Sequence, residues 1–538
     1  MQLTGRREAL LVAGCIALYL ALAGVRAWHH PEPYYDDVGF LDLANQAHEI
    51  GGPVALVKAL FTGSWLEDNR NPLYVGVLSL VAGRDHGFHL RARVLNVLLG
   101  VLALLAWWRT ARRRSGPRAA LIVAAFLAVS ECFIDYSGRE SCEPLLLLLW
   151  ALSIGAILDG FEDPRRWVWA GVFAGLAQLD KGSGIFLVFC FGTALLIDRG
   201  PRALRDPWAW GMGLGFLAAA SPLLTRNLLA YGSPLHHWNN RLLFIDRLPD
   251  YAEIYAPGAL DRLPHGLHDW LQHTTWHEIW FGRLLMGIAE TAVHLGDSLS
   301  FVAPSPLGPV HIPGVVLGFA LFVVALHRLY RRPGSFDRTF LSIQAALFVV
   351  FFVIFSAAGG SSRYVFPMTL CLFAFVLAKD LAERPPWLVR WGAVAASFVV
   401  LAVTLDPARA APPRAYAEAG KWLEQNLKAG DGYAVDSRSQ FEPEWFLPAS
   451  THMEIVSSAW QRQPLQPAEL LPWLRKKRVR FVLVDYSSQK DGAPRWLFFD
   501  HLPEHLPWGL REVWAIPGRM QILEVSPAAA APEAALRQ

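Results

Sequence analysis

Apolar positions along this chain gather into long runs with short polar clusters between them, a pattern that neither a one-faced soluble helix nor an alternating strand produces. Runs approaching the roughly 20 residues needed to cross a bilayer occupy 8–27, 92–108, 118–133, 144–158, 167–179, 184–197, 208–225, 309–329, 339–357, 365–378 and 387–405. Two further stretches, 71–83 and 279–301, are of mixed character, and hydropathy alone leaves them open. Basic residues close the question, because Lys and Arg collect in the cytoplasmic loops. With Arg6 and Arg7 cytoplasmic and neither mixed stretch crossing, the clusters around Arg112, Arg165, Arg202, Arg331 and Arg384 all fall on that side. Letting 71–83 cross would throw the Arg112 cluster outside. The expectation is an all-α polytopic membrane domain of about 11 transmembrane helices. The stretches 71–83 and 279–301 are expected to lie on or dip into the outer leaflet as juxtamembrane helices. The first run ends at Trp28, His29 and His30 rather than at a small-residue cleavage site, so it is expected to remain as a span.

From Pro412 the pattern changes to that of a soluble α/β domain. A helix over 415–428 ends at Gly430, a strand covers 433–436, a second helix 468–477, a buried strand 480–485, and two last strands 512–515 and 520–525. The division expected is a membrane domain at 1–408, a C-terminal domain at 409–526 on the outer face, and a disordered Ala- and Pro-rich tail at 527–538. No internal repeat is evident, which weighs against transporters built from duplicated halves.

Composition agrees: 53% of the 538 residues are hydrophobic and 18% charged, and a net charge of +3 gives no sign of a nucleic-acid partner. The five cysteines, at 15, 132, 142, 190 and 371, have no metal or disulfide spacing. Only Cys132 and Cys142 are placed to meet outside the membrane, and small buried hydrophobes are the simpler reading. His265, His268, His273 and His277 cluster in one outer loop; the last two have helical ligand spacing but lack the glutamate of a zinc protease motif.

Candidate chemistry falls in the outer loops. Asp36 and Asp37 open an amphipathic pattern just after the first span. Acids there serve either as a helix cap and acidic first turn or as a base, with desolvation by Tyr34, Tyr35 and Phe40 raising basicity. Arg70 precedes the proline-started stretch that carries Tyr74. Arg139, Glu140 and Glu143 crowd a short loop before a very apolar run, Glu140 reading more readily as an interfacial cap than Glu143. Lys181 sits in a glycine-bearing turn between two spans, and Arg226 and the pair Arg363-Tyr364 mark the outer ends of two more. Singly each cation reads as an interfacial anchor; together they suit a lipid phosphate.

These residues resemble the C-type glycosyltransferase (GT-C) superfamily, in the branch of protein O-mannosyltransferases and the lipid A aminoarabinose transferase. The resemblance rests on Asp36-Asp37-x-x-Phe40-x-x-x-Ala44, Arg70-Asn71-Pro72-Leu73-Tyr74, Ala92-Arg93-x-x-Asn96, Arg139-x-x-x-Glu143, Arg226-Asn227-x-x-x-Tyr231-Gly232-x-Pro234 and Arg363-Tyr364-x-x-Pro367. Three positions depart from the family pattern: Asp37 replaces a glutamate, Asn71 a proline, and Glu143 an aspartate. The resemblance implies a multi-pass protein of the plasma (bacterial inner) membrane and an inverting transfer of a sugar from a polyprenyl phosphate to a lipid, glycan or protein hydroxyl. It implies Asp36 as base, Asp37 and Glu143 as further catalytic acids, and Arg70, Tyr74, Arg139, Lys181, Arg226, Arg363 and Tyr364 as binders of lipid phosphate or sugar. No cofactor is required by this chemistry, although oligosaccharide-transferring relatives use a divalent ion that Asp36 with Glu143 would hold. A different class, a non-catalytic lipid or polysaccharide transporter, uses similar charges along a pathway.

Overall fold

The computed structural model describes residues 5–29, 36–83, 87–237, 240, 267–300, 311–331, 336–355, 361–385, 415–428, 430–437, 452–457, 470–485, 509–517 and 520–526. Every expected span except the last falls on helix there, and the last, 387–405, lies outside the described residues. The membrane part runs α1 (Gly5–His29), α2 (Asp36–Glu49), α3 (Gly52–Thr62), α4 (Pro72–Ser79), α5 (Phe88–Val129), α6 (Glu131–Ser137), α7 (Glu143–Asp159), α8 (Arg166–Asp180), α9 (Gly184–Arg199) and α10 (Pro207–Tyr231). It continues with α11 (Leu267–His273), a π-helical stretch Glu278–Leu285 leading into α12 (Met286–Ser298), α13 (His311–Tyr330), α14 (Phe336–Phe355) and α15 (Ser362–Leu372). Five described helices are long and apolar enough by themselves to cross a membrane.

The element α5 is two helices in series. Gly116 breaks it with φ 85° and ψ 171°, a conformation open to glycine, and Pro117 follows. Both mixed stretches carry helix. At eight residues α4 is about 12 Å long, too short to cross, and α12 packs across other helices near the ends that carry the site. Positions on α12 touch Val353 near the end of α14, and Val315 and Gly318 near the start of α13.

Ion pairs mark the two ends of the bundle. Arg112 pairs with Glu8, Arg113 and Arg166 with Asp159, Arg114 with Asp337 and Arg328 with Asp380, so the basic loops meet at one end as the sequence required. The opposite end gathers the start of α2, α6 with its following turn, the start of α7, the end of α8 and the start of α15. The short loop expected before the run at 144–158 is led by helix, because Ser130 caps a short helix, α6, that carries Asp135 and Tyr136 into this end.

Closest packing occurs between α8 and α10, where glycines let two backbones touch. A Cβ on Gly171 would sit 1.9 Å from the Met212 carbonyl oxygen, one on Gly175 2.5 Å from that of Phe216, and one on Gly215 2.4 Å from that of Val168. This crossing fixes the end of α8, and so the Asp180-Lys181 turn.

In the C-terminal domain α16 (Ala415–Asn426) and α17 (Leu470–Lys476) accompany β1 (Gly432–Ser437), β2 (His452–Ser457), β3 (Val479–Asp485), β4 (Leu510–Ile516) and β5 (Met520–Val525). The sheet order is β2-β1-β3-β5-β4, parallel across β2-β1-β3 and antiparallel across β3-β5-β4. Alternation along the strands splits the core: Tyr433, Val435, Phe481 and Leu483 pack with α16, whereas Ala434, Val482 and Val484 pack with α17. The strand β2 escaped the sequence reading because His452, Glu454 and Ser457 dilute its apolar alternation.

Replacing Gly171 by leucine puts a side chain into the Met212 backbone. The full-length protein should then lose its monodisperse elution in detergent and its cooperative thermal unfolding, while Gly213→Leu, where nothing lies within 4 Å, should leave both unchanged.

Candidate active site

The site begins with the turn into α2. Asp36 and Asp37 occupy its first turn, where carboxylates favour helix initiation, but helix geometry sends them apart. The Asp36 side chain keeps 41% exposure, that of Asp37 only 3%. Arg363 Nη2 donates to Asp36 Oδ2 at 2.8 Å, and Arg70 Nη2 approaches Oδ1 at 3.4 Å. Arg70 reaches this place by lying over Gly39, where a Cβ would stand 2.2 Å from its guanidinium carbon, with the Phe40 ring 5.6 Å away. Burial acts to raise the Asp36 carboxyl, yet Arg363 and Arg70 outweigh it and hold the group below the usual carboxylate range.

Arg363 also links to the second acid. Its Nε lies 3.7 Å from Glu143 Oε1, and the same oxygen accepts from Lys181 Nζ at 2.6 Å. Ser141 donates to the other oxygen of Glu143. Tyr364 forms an aromatic wall, with Lys181 4.6 Å and Arg363 5.1 Å from its ring centre, and the Tyr136 ring lies 5.9 Å from Arg363 on a further side. One region thus holds Asp36, Glu143, Arg70, Lys181, Arg363 and Tyr364, drawn from α2, α4's leading turn, α7, the α8–α9 turn and α15.

A second layer holds this arrangement. Asp37 accepts from Arg139 Nε at 3.1 Å, Arg139 Nη1 lies 3.6 Å from Asp135, and Arg26 Nε donates to Asp135 at 2.8 Å. Burial pushes the Asp37 carboxyl up to about 7, more than Arg139 pulls it down. The raised basicity expected of an acid at this surface therefore belongs to Asp37 and not to Asp36. Arg139 is paired with two carboxylates, Asp37 and Asp135. Glu140, expected as an interfacial cap, is instead fully buried and bonded to Arg93 at 2.9 Å. Asn96 Nδ2 donates to the carbonyls of Tyr136, Arg139 and Ser141 and pins the turn that carries these acids.

Arg226 stands apart from the Asp36 group. It is 1% exposed, donates to the Glu67 carbonyl and lies 5.4 Å from the Tyr231 ring. Glu67 accepts from the backbone N–H groups of Asn69 and Arg70, so Arg226 supports the turn that presents Arg70. Tyr74 is fully buried beneath Phe40, its ring 5.0 Å away and edge-on. Tyr34, Tyr35 and His265 lie outside the described residues.

Among the described residues no group of three or more His, Cys, Asp or Glu side chains converges. Arg363 bridges Asp36 and Glu143, the two acids offered for a divalent ion, so these side chains as arranged do not form a cation cage. All five cysteines are free.

Sequence reasoning had no role for Arg26, Arg93, Asp135 or Tyr136. Arg93 carried a signal in its position, since a charge at the edge of an apolar run calls for a buried partner. Its partner Glu140 lies 47 residues away and no spacing rule connects them.

Residues 78–225 match the model of a family described as dolichyl-phosphate-mannose-protein mannosyltransferase, a stretch that holds Glu143 and Lys181 but neither Asp36 nor Arg363. No curated protein sequence matches the chain. Among solved structures the fold is similar to ArnT from Cupriavidus metallidurans bound to undecaprenyl phosphate, with TM-score 0.56 and 14% identity over 97% of this chain and 99% of that one. It is also similar to the oligosaccharyltransferase of Archaeoglobus fulgidus in complex with Zn and sulfate, with TM-score 0.51 and 13% identity over 88% of this chain and 68% of that one. The same enzyme tethered to an acceptor peptide with an NVT sequon gives TM-score 0.51 and 14% identity over 90% of this chain and 69% of that one. The chain has the GT-C fold of multi-pass membrane glycosyltransferases, as its motifs implied.

Arg93→Met strands the Glu140 carboxylate and should cost about 3–5 kcal/mol, read as a lower unfolding temperature in detergent. Arg93→Met combined with Glu140→Met should recover much of the loss, and a single variant as stable as the parent would remove the pair from the structural account.

Proposed function

We propose that this chain is an inverting glycosyltransferase that moves a sugar from a polyprenyl-phosphate donor to a hydroxyl of a lipid, glycan or protein at the outer face of the membrane. The observation that carries this reading is one partly exposed carboxylate, Asp36, set between two guanidiniums, with Lys181 joined to the same group through Glu143. Both guanidiniums are partly exposed, Arg70 at 20% and Arg363 at 23%, and each meets Asp36 through Nη2. Planar guanidiniums suit a phosphate, and Lys181 adds a point charge. The GT-C fold and the similarity to a protein bound to undecaprenyl phosphate support the same donor class.

In the reaction the acceptor oxygen attacks the anomeric carbon, its proton passes to Asp36, and the bond from that carbon to the phosphate oxygen breaks with its electron pair leaving on phosphate. The leaving group is a weak base, so it needs neutralisation by Arg70, Arg363 and Lys181 rather than a proton. Glu143 holds Lys181 and Arg363 in place. A transport pathway would call for charge along the length of the bundle, whereas the ion pairs described here gather at its two ends.

Asp36→Asn should lower transfer by about 10²–10⁴-fold with insertion and unfolding temperature unchanged; full activity would refute the base assignment. Arg363→Ala should weaken binding of undecaprenyl phosphate. Because Arg363 depresses the Asp36 carboxyl, removing it raises that group's pKa, so the acid limb of kcat/KM should move to higher pH. An acid limb that stays put or moves lower would separate Arg363 from Asp36.

A further inference from the structure

The chemistry above leaves unused a second set of polar groups directly behind Lys181. Asp180, the last residue of α8, is 2% exposed, and among the described residues neither of its carboxylate oxygens has a hydrogen-bond partner. Tyr74 is fully buried, and its hydroxyl has no partner among the described residues either. The two are held near each other by a staple: Asn71 Nδ2 donates to the Gln178 carbonyl at 2.9 Å, tying the first turn of α4 to the last turn of α8. Asp180 lies within electrostatic reach of Tyr74, Glu143 and Lys181.

Each neighbouring buried acid has a cation of its own. Asp37 has Arg139, Glu140 has Arg93 and Glu143 has Lys181. Among the described residues Asp180 is the exception in this group, and a buried polar group without a partner is costly unless a ligand or water completes it. Its location says which ligand. Lys181, the next residue, belongs to the group of cations read here as the phosphate site, and in a glycosyl phosphate the sugar ring begins one bond from a phosphate oxygen. We propose that Asp180 and Tyr74 form the subsite for the donor's sugar ring, rather than its phosphate or its lipid, and take up ring hydroxyls. The carboxylate accepts from one or two sugar O–H groups, and the phenol either donates to or accepts from a neighbouring one. The ligand class is a polyhydroxylated ring. Polar groups placed this way discriminate against a ring that lacks the matching hydroxyl far better than apolar contacts do, because the unmatched buried groups stay unpaired. The proposal rests on the donor reading above and adds to it the residues that select the sugar.

The test compares two kinds of probe on the full-length protein in nanodiscs: undecaprenyl phosphate, and undecaprenyl phosphate carrying glucose, mannose or arabinose. Wild type should bind at least one glycosylated probe more tightly than the bare lipid phosphate. Asp180→Asn and, separately, Tyr74→Phe should cut that preference about tenfold or more while leaving affinity for bare undecaprenyl phosphate unchanged, whereas Arg363→Ala weakens both kinds of probe. Asp180→Asn with an undiminished preference overturns the subsite. Equal loss toward bare lipid phosphate overturns it as well, since Asp180 then only supports the cations. A wild type that binds the bare lipid but prefers no glycosylated probe counts against the subsite alone, and one that binds neither overturns the donor reading beneath it. Should Asp180→Asn fail to fold, Tyr74→Phe decides by itself, because it removes one oxygen and keeps the ring.

Discussion

Charge in a low-dielectric surrounding must be matched, and that constraint shapes the whole site end of this bundle. Acids and bases meet there in pairs, Asp36, Asp37, Asp135, Glu140 and Glu143 against Arg26, Arg70, Arg93, Arg139, Lys181 and Arg363. The innermost pair, Arg93 with Glu140, is nearly sealed from solvent. Such pairs are a poor source of net stability. What they supply is position, since breaking one strands its partner and the alternative arrangements of the 136–143 turn become inaccessible.

The matching is graded from back to front. Arg26, Asp135, Arg139 and Asp37 form a closed run in which the strongest bonds point at each other. Towards the opening, Arg70 and Arg363 contact Asp36 with part of their donor set only. On the proposed reading the rear group is framework and the front group meets the ligand. That gradient explains why Asp36 and Asp37, adjacent in sequence, have carboxyls displaced in opposite directions.

Much of the membrane architecture was legible because it depends on additive quantities, hydropathy along a run and the number of basic residues in a loop. The basic ends of the helices meet as charge counting required, and the short α4 lies where a crossing would have inverted the Arg112 cluster. Asp36, Arg70, Glu143, Lys181, Arg363 and Tyr364 were each visible as polar residues at the edge of an apolar run, and the structure brings them into one region. The pairings were not legible, because they join residues from Arg26 to Arg363 through folds of the backbone that no local pattern encodes. Glu140 looked like a cap because its neighbours in sequence are polar; in the fold it is fully buried against Arg93, 47 residues away. In the C-terminal domain the strongly apolar β3 was readable, whereas β2 was too dilute to register.

The double allegiance of Arg363 has a temporal consequence. On the proposed reading, a phosphate arriving at the site competes with Asp36 for the guanidinium, and as that positive charge is shared the carboxylate gains proton affinity. The base we propose is then weakest before the donor arrives, when it is least able to activate stray water. Loading one substrate would ready the group proposed to act on the other, through a single shared cation.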